Sequence, residues 1–390
     1  MIRKTWFLLL LGAGGLLLGG CGSDSSGQSA LREGMAAFNE KNYAAAITHL
    51  TRATQRITSS ADLYYHLGCA HLEKGEPEPA AAAFIAALEL NPKHGESLAG
   101  LGQVAFYKKD LFKARDYFRQ ALASTVSSDD AKASILNGLA LAEAGLQRYD
   151  LARLYLLEAQ QASPKYAPSL YNLASLYRDT YNLREEALDQ FEMYVRIADK
   201  KDPYLDKGAN NVKRLRLNME RTRGEEMDAL RRDPEAAAKL LHEGIAAQSS
   251  KQFAKAIKCY RDALAADPLA FNAAFGMGMV YKRQGQRAES MEAFKRAAAI
   301  NPCHQDSYLQ SAELAVQLKR YDEAEKILDR AIARSPYSPA SAELMVRIRH
   351  AESRLPEARA YGEFYLSLLR GDEKKTSAAF EAWVKKLPTK

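Results

Sequence analysis

The sequence predicts an all-α fold built from antiparallel helix pairs that repeat along the chain. Three observations predict it. Ala and Leu dominate a chain of 390 residues that holds only 13 Pro and 23 Gly, a balance that favours helix over strand. A frame of small and aromatic residues recurs roughly every 34 residues, the period of a helix-pair repeat. Pro closes the frame at Pro92, Pro164, Pro268, Pro302 and Pro336. It has no N–H to continue a helix and restricts the residue before it.

The clearest unit reads Tyr64, Leu67, Gly68 and His71, then Gly75, Ala80, Phe84, Ala87 and Pro92. Counted from Ala61, Gly68 is at the eighth place, Ala80 at the twentieth and Phe84 at the twenty-fourth. A small eighth residue lets two helices approach, the twentieth faces it, and the large twenty-fourth fills the gap toward the next pair. An opening unit uses Gly34, Tyr43, Ala46, Leu50 and Ala53. Others run from Gly102 to Ala121, Ala140 to Pro164, Ala174 to Phe191 with one residue inserted between its helices, Gly244 to Pro268, Gly278 to Pro302 and Ala312 to Pro336. With a degenerate unit through Ala358, Tyr361 and Phe364, about nine are recognisable. A single pair cannot bury its apolar face alone, so neighbours must stack.

These residues resemble the tetratricopeptide-repeat (TPR) pattern, with His71 in a place usually held by Tyr. The resemblance implies a TPR superhelical solenoid. It divides the chain into an N-terminal block of about five repeats (30–201), a charged helical connector (202–236) and a C-terminal block of three repeats plus a degenerate one (237–372). Residues 373–390 form a tail whose Ala378–Val384 stretch, Trp383 included, reads as an amphipathic cap. In the family, the first helices line a concave groove that takes peptides or helices. Carried over place by place, the groove residues are Tyr65, Phe106, Tyr107, Tyr171, Arg178, Phe275, Met279, Lys282 and Arg283. This aromatic and cationic set suits an amphipathic or acidic protein segment. The Lys and Asn of the family's carboxylate clamp are missing from Tyr65/Cys69, Ala99/Gln103, Tyr171/Ser175 and Phe275/Met279, so a chaperone-tail receptor is not expected.

The first residues read as an address. Arg3 and Lys4 precede an apolar run, Trp6–Leu18, too short to span a bilayer comfortably and fitting a secretory signal over 1–20. It ends in Leu18-Gly19-Gly20-Cys21, which resembles the bacterial lipobox. That resemblance implies cleavage before Cys21 and its acylation, with two or three chains giving a firm anchor. Gly22 to Ser29 reads as a polar, flexible tether within the segment 21–29. Gly22 replaces the Asp that retains lipoproteins at the inner membrane, so the expected location is the bacterial envelope, at the outer membrane facing the periplasm in a Gram-negative cell.

The net charge of +7 is dispersed among acids, and only Lys213–Arg223 gathers cations, so no nucleic-acid partner is expected. Cys69, Cys259 and Cys303 form no CxxC pair, the seven His are scattered, and no hydrolase, metalloprotease or phosphate-loop motif occurs. No cofactor, metal, small-molecule substrate or catalytic residue is therefore expected. The leading expectation is a non-enzymatic, membrane-anchored scaffold assisting assembly of an envelope complex: a pilus, secretion system, polysaccharide exporter or outer-membrane insertion machine. The alternatives are an accessory subunit or recruiting arm of an envelope enzyme, and a self-associating structural array.

Overall fold

A computed structural model describes residues 25–200, 202–228, 232–370 and 377–388. Its described elements are all helices. Chain neighbours associate in antiparallel pairs: α1 (Ser25–Asn39) with α2 (Tyr43–Thr54), α3 (Ala61–Lys74) with α4 (Pro77–Leu90), α5 (Gly95–Tyr107) with α6 (Leu111–Leu122), α7 (Asp129–Gly145) with α8 (Tyr149–Ala162), and α9 (Ala167–Asp179) with α10 (Arg184–Ile197). After α11 (Leu205–Asp228) come α12 (Pro234–Ser249) with α13 (Phe253–Ala266), α14 (Phe271–Arg283) with α15 (Arg287–Ile300), α16 (Gln305–Gln317) with α17 (Tyr321–Arg334), and α18 (Pro339–Ala351) with α19 (Leu355–Leu368). The helix α20 (Ala378–Lys386) closes the series. The chain clusters into two compact units, Met1–Leu176 with Gln190–Gly208, and Tyr177–Asp189 with Ala209–Lys390.

The pairs close as the small-residue frame requires. Ala46, Ala80, Ala114, Ala152, Ala187, Ala256, Ala324 and Ala358 at the twentieth place are all fully buried. Where Ser290 stands there instead, its hydroxyl donates to the Gly278 carbonyl at 2.9 Å, so the extra polar atom is satisfied. The twenty-fourth ring is gripped from both sides. A methyl group on Gly68 would lie 2.6 Å from Phe84, and one on Gly100, at the sixth place of the next pair, 2.5 Å from the same ring. Phe118 is held likewise by Gly102 and Gly138, and Tyr260 by Gly244 and Gly276.

Both ends of the pairs are specified locally. Side chains of Ser60, Asp110, Ser128, Asp233 and Ser338 accept backbone N–H groups at helix starts, satisfying donors that would otherwise be orphaned. His94 does the same: its Nδ1 accepts from the Ser97 N–H at 3.2 Å, which leaves Nε2–H to donate to Asp62 at 3.0 Å. The bond holds the Asp62 carboxyl below its ordinary range. The turn inside every pair passes through a left-handed residue: Lys41, Gly75, Lys109, Gln147, Asn182, Lys251, Gly285, Lys319 and Ser353, with φ between 54° and 86°. In eight of them the next N–H bonds a carbonyl five residues back, such as Asp110 to Ala105 at 2.9 Å and Arg320 to Ala315 at 2.8 Å, a Schellman closure. Around Asn182 the inserted residue stretches the bond by one step, Leu183 N–H to Tyr177 O at 2.9 Å.

One feature differs from the sequence expectation and two add detail to it. Residues 25–29, read as tether, begin α1, because Gly27 lets the helix lie against Arg56 and Ile57. The charged stretch 202–236 holds one long helix, α11, whose Gly208 lies against Tyr194 and whose Leu215 is buried, and then the start of α12. The ninth pair carries Gly362 at the twenty-fourth place, and Val384 of α20 fills the space a ring would occupy: a methyl on Gly362 would sit 2.6 Å from it. Val384 is fully buried, and Trp383 stacks edge-on against His350 at 5.2 Å. The leader, Cys21 and the residues around it lie outside the described residues, and none of the described helices is long and apolar enough to cross a membrane.

Candidate partner-docking face

The surfaces of the first helices differ between the two units. In the first, the fifth-place residues Tyr65, Ala99, Asn137 and Tyr171 are all buried. Tyr65 packs against Phe84 at 5.9 Å and His94 at 5.6 Å, and burial pushes its phenol well above the ordinary range. Cys69, one turn on, is enclosed with it and its thiol is pushed up to about 12 by desolvation, which makes it inert as a nucleophile. Tyr171 meets Phe191, Tyr194 and Tyr204 edge-on at 5.2, 5.0 and 5.9 Å. Beside it the Asn172 amide donates to Asn137 at 2.7 Å, so two buried amides satisfy each other. Phe106 packs half-buried against the α5–α7 core, while Tyr107 stands 61% exposed. Arg178 is engaged by its neighbour Asp179 through two bonds of 2.6 and 2.8 Å.

In the second unit the same places are less completely covered. Along α12, Leu241 is half-buried and Ile245 exposed. Along α14, Phe275 and Met279 are half-buried, and along α16 so are Leu309 and Glu313. Phe275 is fixed by Phe271 (5.9 Å, stacked), Phe294 (5.2 Å) and His304 (4.9 Å), so its solvent-facing edge is rigid. His304 is itself locked by its Nδ1 accepting the Ser307 N–H at 3.3 Å. Lys282 reaches across to Gln310 and, at 3.8 Å, Glu313, while Arg283 is exposed at the end of the helix. Ile245, Phe275, Met279 and Leu309 thus occupy equivalent places on three successive first helices, with Lys282 and Arg283 at the end of the middle one. Such a surface can bury the apolar face of a protein segment and bond its carboxylates.

Of the residues singled out from sequence, Phe275, Met279, Lys282 and Arg283 thus come together on one accessible face. Tyr65 and Tyr171 instead complete the packing of the first unit, where Phe84 and His94 cover one and Phe191, Tyr194 and Tyr204 the other. Sequence reasoning missed Ile245 and Leu309; both sit on the same faces of α12 and α16 by the repeat count.

Stacked helix pairs with this spacing define a class of repeat protein whose working surface is a side-chain face rather than a catalytic pocket. Family models described as tetratricopeptide repeat match residues 65–129, 113–167 and 241–303, and 282–348, together more than half of the sequence, and the chain belongs to that family. Tetratricopeptide repeats mediate protein–protein interaction. A curated human protein, Protein O-mannosyl-transferase TMTC3, is 28% identical over 130 residues, 33% of this chain and only 14% of its own length. Among solved structures, TTC0263 from Thermus thermophilus is 21% identical with a TM-score of 0.43, over 48% of this chain and 98% of that one. YrrB, described as a TPR protein with an unusual peptide-binding site, is 18% identical with a TM-score of 0.31, over 70% and 97%.

Proposed function

We propose that the chain is a lipid-anchored bacterial envelope scaffold that holds a partner protein segment on the α12–α14–α16 face. The observation that carries the docking reading is the row Ile245, Phe275, Met279 and Leu309, exposed at Ile245 and half-buried at the other three, in a chain that buries most of its large apolar residues. Lys282 and Arg283 favour a segment with acidic residues flanking an apolar face. The anchor rests on Leu18-Gly19-Gly20-Cys21. A system assembled in the envelope is the setting that a tethered, non-catalytic array serves. The recruiting-arm alternative draws on TMTC3, a transferase by name, of which the shared part is a small fraction.

A photo-crosslinking residue at Ile245, activated in intact cells, should capture a defined partner. Phe275→Ala with Met279→Ala should abolish capture while leaving the far-ultraviolet circular dichroism unchanged. Capture that survives the double substitution would refute the docking face. Labelling with an alkynyl fatty acid should mark the parent chain and not Cys21→Ser; an unlabelled parent would remove the anchor.

A further inference from the structure

Among the described residues nine turns join paired helices, and eight of them carry no aromatic residue at the thirteenth and eighteenth places, which hold pairs such as Glu73 and Glu78, Gly145 and Asp150, or Ser249 and Ala254. The α5–α6 turn differs. It presents Tyr107, 61% exposed, and Phe112, 63% exposed, to solvent. Three lysines surround them. Lys109 sits at the left-handed apex, Lys113 is exposed one residue past Phe112, and Lys108 makes a solvent-exposed pair with Glu78 at 3.1 Å. The Arg115 guanidinium lies over the Phe112 ring, 5.5 Å from its centre. The turn's own acid, Asp110, is occupied in accepting the Lys113 N–H at 3.1 Å.

We infer that this turn contacts an anionic membrane surface, with Tyr107 and Phe112 entering the headgroup layer and Lys109 and Lys113 facing lipid phosphates. Two facts favour lipid over protein. The rings project from a tight turn and enclose nothing, so they can enter a fluid interface but form no pocket for a side chain. Lysine is depleted in the cores of protein interfaces, whereas aromatic rings and snorkelling lysines are the paired signature of a membrane interface. Alone the patch is a weak binder; beside a lipid anchor it would be the second signal that orients the chain on the surface. The inference requires neither acylation of Cys21 nor a partner on the α12–α14–α16 face.

The test uses the full-length chain in a Cys21→Ser background, bound to phosphatidylcholine vesicles with or without phosphatidylglycerol. Phe112→Trp should be quenched by brominated phosphatidylglycerol beyond the signal of Trp6 and Trp383, and Ile245→Trp should not. Lys109→Ser with Lys113→Ser should lower the preference for anionic vesicles on the order of tenfold. Tyr107→Ser with Phe112→Ser should remove the turn's contribution, with circular dichroism unchanged. Equal quenching at 112 and 245 would overturn the inference. So would loss of a bound protein in the serine double variant with vesicle binding intact.

Discussion

Phe84 is clamped between Gly68 and Gly100, and the distances decide what each position tolerates. Adding a branched side chain at Gly100 forces the ring out of a full site, so Gly100→Val should cost about 2–3 kcal/mol, read as a lower urea midpoint. Gly75→Ala is the control: nothing lies within 4 Å of the added methyl, and its left-handed backbone alone should cost about 1 kcal/mol. Asp267 makes a second residue-scale prediction. Arg232 bonds it at 2.7 and 3.0 Å and holds its carboxyl below the usual range. A depressed folded value means the stabilisation is present above the ordinary carboxylate range and is lost as pH falls through the folded value. Asp267→Asn should therefore lower the melting temperature at neutral pH, and the two melting curves should converge in acid.

At the level of elements, every helix pair turns through one left-handed residue, and most of these are not glycine. Lys319 at φ 58° bears a steric cost that glycine would relieve, so Lys319→Gly should stabilise by about 0.5–1 kcal/mol in chemical denaturation. Gly75 and Gly285 advertise such turns in the sequence; Lys41, Lys109, Gln147 and Lys251 do not, because the Schellman bonds that impose the conformation are backbone groups without a sequence signature. The eighth, twentieth and twenty-fourth places were legible because in every pair but the ninth the first two are small and the third is large. The sixth-place glycines were not, since they answer to a ring in the preceding pair. The cap was legible as an amphipathic stretch, but not that Val384 plugs the vacancy at Gly362. Gly362→Leu should expel Val384 and release α20, seen as faster hydrogen exchange across Ala378–Lys386.

On the scale of the molecule, each pair rests mainly on its chain neighbours, so damage should stay local and fade with distance. Within the second unit, Phe294→Ala should accelerate amide exchange most in α14 to α16 and least in α19. The docking face was only half legible for a related reason. Counting places finds which residues lie on the first helices. Whether a face is open depends on what the neighbouring pairs bring to it, as the burial of Tyr65 and Tyr171 beside the accessibility of Phe275 and Met279 illustrates.

The extra residue near Asn182 is absorbed by one backbone hydrogen bond that spans six residues instead of five, while Ala187 and Phe191 downstream remain fully buried. Hairpin tips in this architecture are therefore natural ports. An epitope or fluorophore-bearing loop spliced between Thr180 and Asn182 would ride on the scaffold without disturbing the register of the helices it joins.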